Sequence, residues 1–202
     1  MQTLLTYAGP ADERSLADRT GGLPLVPSGV DWPECATCNG PMQFVAHLLV
    51  GDELLLAVWM CQSDPGACEE WDPWAGGNRA LLYGRDGLRP AEVPEGGPTL
   101  LAEVSGMDRT PVDAPTYSDA SRQWADAPGR GLRDALGKVG GEPSWLQGDE
   151  TPDCPGCSAP MEFAAQWEEG HDHKTAVNFG GGGCGYGFVC RACLRAVFLW
   201  QT

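Results

Sequence analysis

The chain predicts a mainly β protein (α+β): a duplicated antiparallel architecture with short helices and two zinc knuckles. Three observations lead there. Glycine (28) and proline (17) fill more than a fifth of the 202 residues, which favours short strands and turns over long helices. At 42% hydrophobic the chain can bury a core. And one pattern is written twice, with matched positions 119 residues apart and no gap.

The repeated pattern is G-G-x-P, a spacer, then P-[ED]-C-x-x-C-x-x-P-M-[QE]-F-x-A. It runs from Gly21 to Ala46 and again from Gly140 to Ala165, with 11 identities in 26 positions. The expected divisions follow from it: an N-terminal arm at 1–20, a first half at 21–107, a connecting segment at 108–137 and a second half at 138–202. The halves are expected to share one pseudo-symmetric body.

Within the arm, residues 10–18 can form a short helix, with Pro10 near its first turn. Residues 42–50 and 53–60 are apolar runs around Gly51-Asp52 and predict a hairpin. Residues 79–83 and 100–104 are further strand candidates. Residues 108–128 hold three prolines and little periodicity, and 131–137 suit a short helix. In the second half, strands are expected at 161–167, 175–179, 186–189 and 196–200. A turn is expected at 170–173 and a sharp turn or bulge at 180–183.

Nine cysteines carry the chemistry. Three C-x-x-C pairs and an odd total point to thiolates on metal rather than disulfides. Zinc takes four Cys or His ligands in a tetrahedron, and each C-x-x-C delivers two from one turn. Cys35 and Cys38 are matched with Cys61 and Cys68, which the hairpin carries back. Cys154 and Cys157 are matched with Cys190 and Cys193. Both Zn²⁺ sites would be closed and structural, with binding worth about 10–16 kcal/mol to folding in such sites. Iron–sulfur ligation also uses four cysteines, but no other feature of the chain suggests redox work.

Other polar residues suit structural roles. Cys184 is left over, as a small buried hydrophobe. His171 and His173 fall in a polar turn. His47, opposite Gln166 in the repeat, suits a hydrogen-bonded core position. The glycines from 180 to 187 lack the Gly-Lys-Ser/Thr of a phosphate loop. Glu69-Glu70 and Glu168-Glu169 read as surface. The eight tryptophans belong to core or rim, and an exposed cluster of them would mark a peptide groove.

The formal charge of −15 disfavours nucleic acid and suits a basic protein partner. No segment reaches the ~20 apolar residues of a membrane span, and residues 1–7 lack a basic n-region. A cytoplasmic location is expected.

The residues 138–147, Cys154-x-x-Cys157, Pro160-Met161-Glu162-Phe163, the stretch 178–190 and the ending Phe198-Leu199-Trp200-Gln201 resemble the YwqG-like bacterial proteins. Cys61, Pro65-Gly66, Cys68, Trp71 and Gly77-Asn78-Arg79 fit the same group. The G-G-x-P-x-W and C-x-x-C-x-x-P-M-x-F elements also resemble the programmed cell death protein 2 family. The resemblance covers roughly residues 20–83 and 138–202. It implies a mostly β duplicated fold and, for the eukaryotic relatives, a dedicated chaperone of a small-subunit ribosomal protein. It brings no catalytic residues.

The function expected from these features is non-enzymatic: a zinc-binding protein that engages a protein partner, chaperone-like towards a basic client. Two alternatives are an enzyme that uses Cys184 or the glycine-rich loop, and a toxin-neutralising or accessory protein.

Overall fold

A computed structural model describes residues 1–172 and 174–202. His173, weighed above as a turn residue, lies outside them. Twelve strands and one α-helix are formed by the described residues: β1 Gln2–Pro10, β2 Arg19–Thr20, β3 Leu25–Val26, β4 Gln43–Val50, β5 Leu54–Met60, β6 Asn78–Gly84, β7 Arg89–Pro90, β8 Ser105–Val112, α1 Tyr117–Ala125, β9 Ala135–Val139, β10 Glu162–Glu168, β11 Cys184–Cys190 and β12 Arg195–Gln201. The protein is mainly β, as its glycine, proline and strand patterns predict.

Ten strands make one antiparallel sheet in the order β12-β11-β10-β9-β1-β8-β2-β4-β5-β6, and β3 pairs with β7 separately. The sheet nearly closes. Its end strands β6 and β12 approach each other, and the Trp200 N–H donates to the Trp71 carbonyl at 3.3 Å. The order has the same logic from either end. The run β6, β5, β4, β2 mirrors β12, β11, β10, β9, with β8 and β1 between them.

The expected hairpin at 42–60 is β4–β5, in register from Gln43↔Met60 to Val50↔Leu54. The N-terminal segment differs from its expectation. Residues 2–10 are not an arm but a central strand, antiparallel to both β8 and β9, and 10–18 form no helix. The reason is that both faces of β1 are covered: Leu5 lies in the main core, Leu4 under α1. A strand buried on both sides carries no alternating signature.

The connecting segment is also structured. β8 begins at Ser105, so 100–104 is the approach to a strand rather than the strand itself. Pro111, one of the three prolines of 108–128, is tolerated because β8 there pairs with β1 alone, leaving its other edge without a ladder bond to lose. Thr116 caps α1 by accepting the Asp119 N–H at 3.1 Å. Residues 131–137 hold a single 3-10 turn, Leu132–Asp134, and then enter β9. Residues 175–179 form no strand, although Val177 and Phe179 are buried in the main core.

Besides the cluster of Leu4, Ala120 and Trp124 at α1, the described residues form three core clusters. Leu5, Leu48, Leu56, Val58, Trp167, Phe179 and Phe198 help to fill the interior of the sheet. Two outer clusters pack around the cysteines: Met42, Phe44 and Trp59 beside Cys35, Cys61 and Cys68; Met161, Phe163 and Phe188 beside Cys154.

Candidate metal centres

The knuckle backbone is the same in both copies of the repeat. The Asn39 N–H donates to the Cys35 carbonyl at 2.9 Å, and the Ser158 N–H to the Cys154 carbonyl at 2.8 Å. Asn39 and Ser158 both sit at positive φ, 57° and 58°. Short polar residues tolerate that conformation. Met42 donates to the Pro33 carbonyl and Met161 to that of Pro152, both at 2.9 Å. These bonds fold each C-x-x-C into a tight turn that aims two sulfurs the same way.

Immediately beyond, each copy carries a β-bulge, between Phe44 and Ala46 and between Phe163 and Ala165. The bulge turns the phenylalanine onto the outer, cysteine-bearing cluster and the following alanine into the inner core. The bulged residue's carbonyl, on Val45 or Ala164, accepts the N–H of Gly21 or Gly140. That is the purpose of the G-G pair: all four glycines sit at φ between 65° and 78°, a region that L side chains rarely adopt.

The loop then closes over a buried cation. Arg19 is fully buried, and its guanidinium donates to the carbonyls of Gly21 and Leu23 and to that of Ser15 at 2.9 Å. Burial lowers its pKa to about 10. Lys138, in the matched position, donates to the Glu142 carbonyl at 2.7 Å. Each cation faces its phenylalanine ring: Arg19 Cζ lies 5.5 Å from the Phe44 centroid, Lys138 Nζ 5.8 Å from that of Phe163. His47 accepts the Leu25 N–H at Nε2 (3.3 Å), and Gln166 accepts the matched Ser144 N–H at 3.0 Å. Burial and Arg19 keep the His47 ring neutral, so it is a hydrogen-bonded core residue as expected.

Hairpins bring the remaining cysteines. Cys61 directly follows β5, with Cys68 beyond it; Cys190 ends β11, and Cys193 follows on the next turn. The sulfurs of Cys35, Cys38, Cys61 and Cys68 lie within 4.8 Å of one another, as do those of Cys154, Cys157, Cys190 and Cys193. Cys38 is 3.7 Å from Cys61 and Cys157 is 3.8 Å from Cys190, sulfur to sulfur. A tetrahedron with metal–sulfur bonds near 2.3 Å places its sulfurs about 3.8 Å apart. Each group could therefore hold a metal ion, and the pairing is the one the spacing predicts.

The sulfurs are electrostatically unequal. The Gly40 N–H holds Cys38 down to about 7, and the Gly156 N–H does the same for Cys154. Burial pushes Cys68 up, and hydrogen bonding to Cys157 pushes Cys193 up to about 12. Four thiols this close cannot all ionise unless a cation offsets their charge. A divalent ion held by the four sulfurs would supply that charge.

Cys184 stands apart from both groups, at the start of β11. It is 3% exposed and donates its S–H to Glu168 Oε2 at 3.3 Å. Burial and the Glu168 charge push the thiol up, away from the thiolate a nucleophile requires. The glycine turn is likewise occupied: Glu169 Oε1 accepts the N–H groups of Phe179 and Gly181, at 3.2 and 2.7 Å. Glu168 is not a free surface carboxylate. It accepts from Tyr117 Oη at 2.8 Å as well as from Cys184. Nothing in its sequence neighbourhood signals this, because Tyr117 is 51 residues away on α1. Glu70 is also buried, with Oε1 accepting the Gly66 N–H.

Comparison with known proteins adds little. No known family model matches the chain. Over 72 residues, 35% of the chain, it is 34% identical to the uncharacterized protein YpfL of Salmonella typhimurium strain LT2. That stretch spans 16% of the YpfL length. Among the described residues, no helix is long and apolar enough to cross a membrane.

Proposed function

We propose that the protein is a non-enzymatic zinc protein that binds an extended, basic segment of a partner protein, in the manner of a dedicated chaperone. The observation that carries the metal reading is the convergence of two sets of four cysteine sulfurs, each set within 4.8 Å. Thiolate sets of four at tetrahedral spacing suit Zn²⁺, closed and structural, with Cys35, Cys38, Cys61, Cys68 and Cys154, Cys157, Cys190, Cys193 as ligands.

The partner reading rests on a groove of about 610 Å³ between the two end strands. Residues 78–83 of β6 and 194–198 around β12 form its walls, and Trp74 and Leu194, 57% and 55% exposed, flank it. Apolar side chains beside the seam where β6 nears β12 would pack against the side chains of an extended segment laid along it. The whole-chain charge of −15, with a further −2 for each zinc–tetrathiolate site, favours a basic partner by long-range attraction, while the groove lining itself carries Arg79 and Arg195. A cytoplasmic location fits such a role.

Two measurements test this. Elemental analysis of protein purified from zinc-supplemented cells should give two zinc ions per chain; one or none overturns the metal reading. Titration with a synthetic extended lysine- and valine-rich peptide should quench tryptophan fluorescence saturably, weaken with salt, and weaken further in Trp74→Ala and Leu194→Asp. Absence of saturable binding, or equal binding of a glutamate-substituted peptide, overturns the partner reading.

A further inference from the structure

A second cavity, of about 720 Å³, lies under α1 on the β9–β10–β11 side of the molecule. Its polar floor is built across three elements: Tyr117 from α1, Glu168 from β10 and Cys184 from β11. Glu168 is the hub, accepting Tyr117 Oη on Oε1 and the Cys184 S–H on Oε2. Gln166 Nε2 in turn donates to Cys184 Sγ at 3.5 Å. The walls are mixed: Leu132 and Leu146, both exposed at the opening, stand beside serines and Arg133, whose guanidinium donates to the Gly170 carbonyl at 3.3 Å. Arg122 stands in the lining and makes no ion pair or side-chain hydrogen bond among the described residues.

The floor is short of positive charge. The partners of Glu168, Tyr117, Cys184 and Gln166, are all neutral donors, and Glu169, next along the chain and also in the lining, is acidic. Burial and Glu169 raise the Glu168 pKa, the direction expected for a carboxylate without a countercharge. A bound ammonium would supply it and use the lone pair of Glu168 that Tyr117, Cys184 and Gln166 leave open. We propose that this cavity is a ligand site for a small primary amine with an apolar body. The ammonium sits on Glu168, the body lies between Leu132 and Leu146, and Arg122 meets any acid group the ligand carries. The cavity is separate from both cysteine groups, so it works alongside the metal centres rather than through them.

The test uses the zinc-loaded full chain, ¹⁵N-labelled, titrated with phenethylamine, L-phenylalanine and 2-phenylethanol. Phenethylamine should shift the amides of Gly181, Gly182 and Cys184 saturably. The alcohol should bind at least about tenfold more weakly, the loss expected for one charge-assisted hydrogen bond. Glu168→Gln should reduce amine affinity about tenfold. Leu132→Trp, at an exposed position on the mouth, should block the amine with an unchanged circular dichroism spectrum; it keeps the test decisive if Glu168→Gln fails to fold. Tighter binding of L-phenylalanine, lost in Arg122→Ala, supports an amino-acid ligand; equal binding supports a simple amine. No saturable shift with either amine, equal affinity for the alcohol, or an unaffected Leu132→Trp variant overturns the assignment.

Discussion

Leu49 opposite Leu55 and Glu168 opposite Cys184 are the same cross-strand pair in the two copies of one plan. In the first copy the pair is aliphatic. In the second it is polar, hydrogen-bonded, and covered by α1, which is inserted between β8 and β9 and has no counterpart between β1 and β2. The comparison separates what the scaffold needs from what it tolerates. Knuckle turns, the bulge after phenylalanine, the G-G loop and the buried cation recur because each satisfies backbone groups that would otherwise be buried without partners. The strand pair beyond the bulge is free to differ, and that is where a cavity has room to form.

Loss of metal should show the largest effect. Cys154→Ser should lower zinc content from two ions to one and, with binding worth about 10–16 kcal/mol to such a site, unfold the second cysteine cluster. Cys35→Ser should do the same for the first. Elemental analysis with circular dichroism melts checks both. A chelator that strips both ions and leaves the melt unchanged would break the symmetry of the comparison at its root.

The buried cations come next. Arg19→Ala strips the carbonyls of Ser15, Gly21 and Leu23 of a donor and should cost more than about 3 kcal/mol. Lys138→Ala deprives only the Glu142 carbonyl and should cost about 1–2 kcal/mol. Urea denaturation orders them. Equal losses would mean that the loops, not their cations, hold the copies together.

Matched positions 18 and 137 differ in a third way. Asp18 accepts the Leu49 N–H at 2.7 Å and pairs with Arg109. Gly137 sits at φ 140°, where a Cβ would meet the Gln166 carbonyl oxygen at 2.0 Å. Gly137→Ala should therefore cost more than about 2 kcal/mol by the same assay. A neutral result would mean that β9 and β10 can separate without loss.

The smallest effect is a pH dependence confined to the second copy. The folded Glu168 carboxyl keeps its proton to higher pH than the unfolded one, whose ordinary value is 4.5. Its contribution is therefore complete below that value and is lost as pH rises through the folded pKa. Relative to Glu168→Gln, the wild type should gain melting temperature on acidification towards pH 4.5. Parallel curves for the two proteins would remove the buried carboxyl from the account.

The two four-cysteine groups were legible in the sequence. Ligand spacing in a knuckle is local, and the repeat showed which cysteine pairs correspond, so the four-sulfur groups followed from Cys35/Cys38 and Cys154/Cys157 with the hairpins. The β4–β5 hairpin was legible for the same reason: an apolar run, a Gly-Asp turn and a second run lie adjacent in the chain. Residues 2–10 were not. Their partners β8 and β9 come about a hundred residues or more later, and Leu4 and Leu5 are buried on opposite faces.

The sequence by itself determined which side chains hold the scaffold, because the turn, bulge and knuckle chemistry is short-range and repeats at a fixed offset. Only the tertiary structure decided where the two end strands meet and what Glu168 faces. Those facts depend on a sheet curving until β6 nears β12, and on α1 delivering Tyr117 across 51 residues to a carboxyl that reads, in one dimension, as surface.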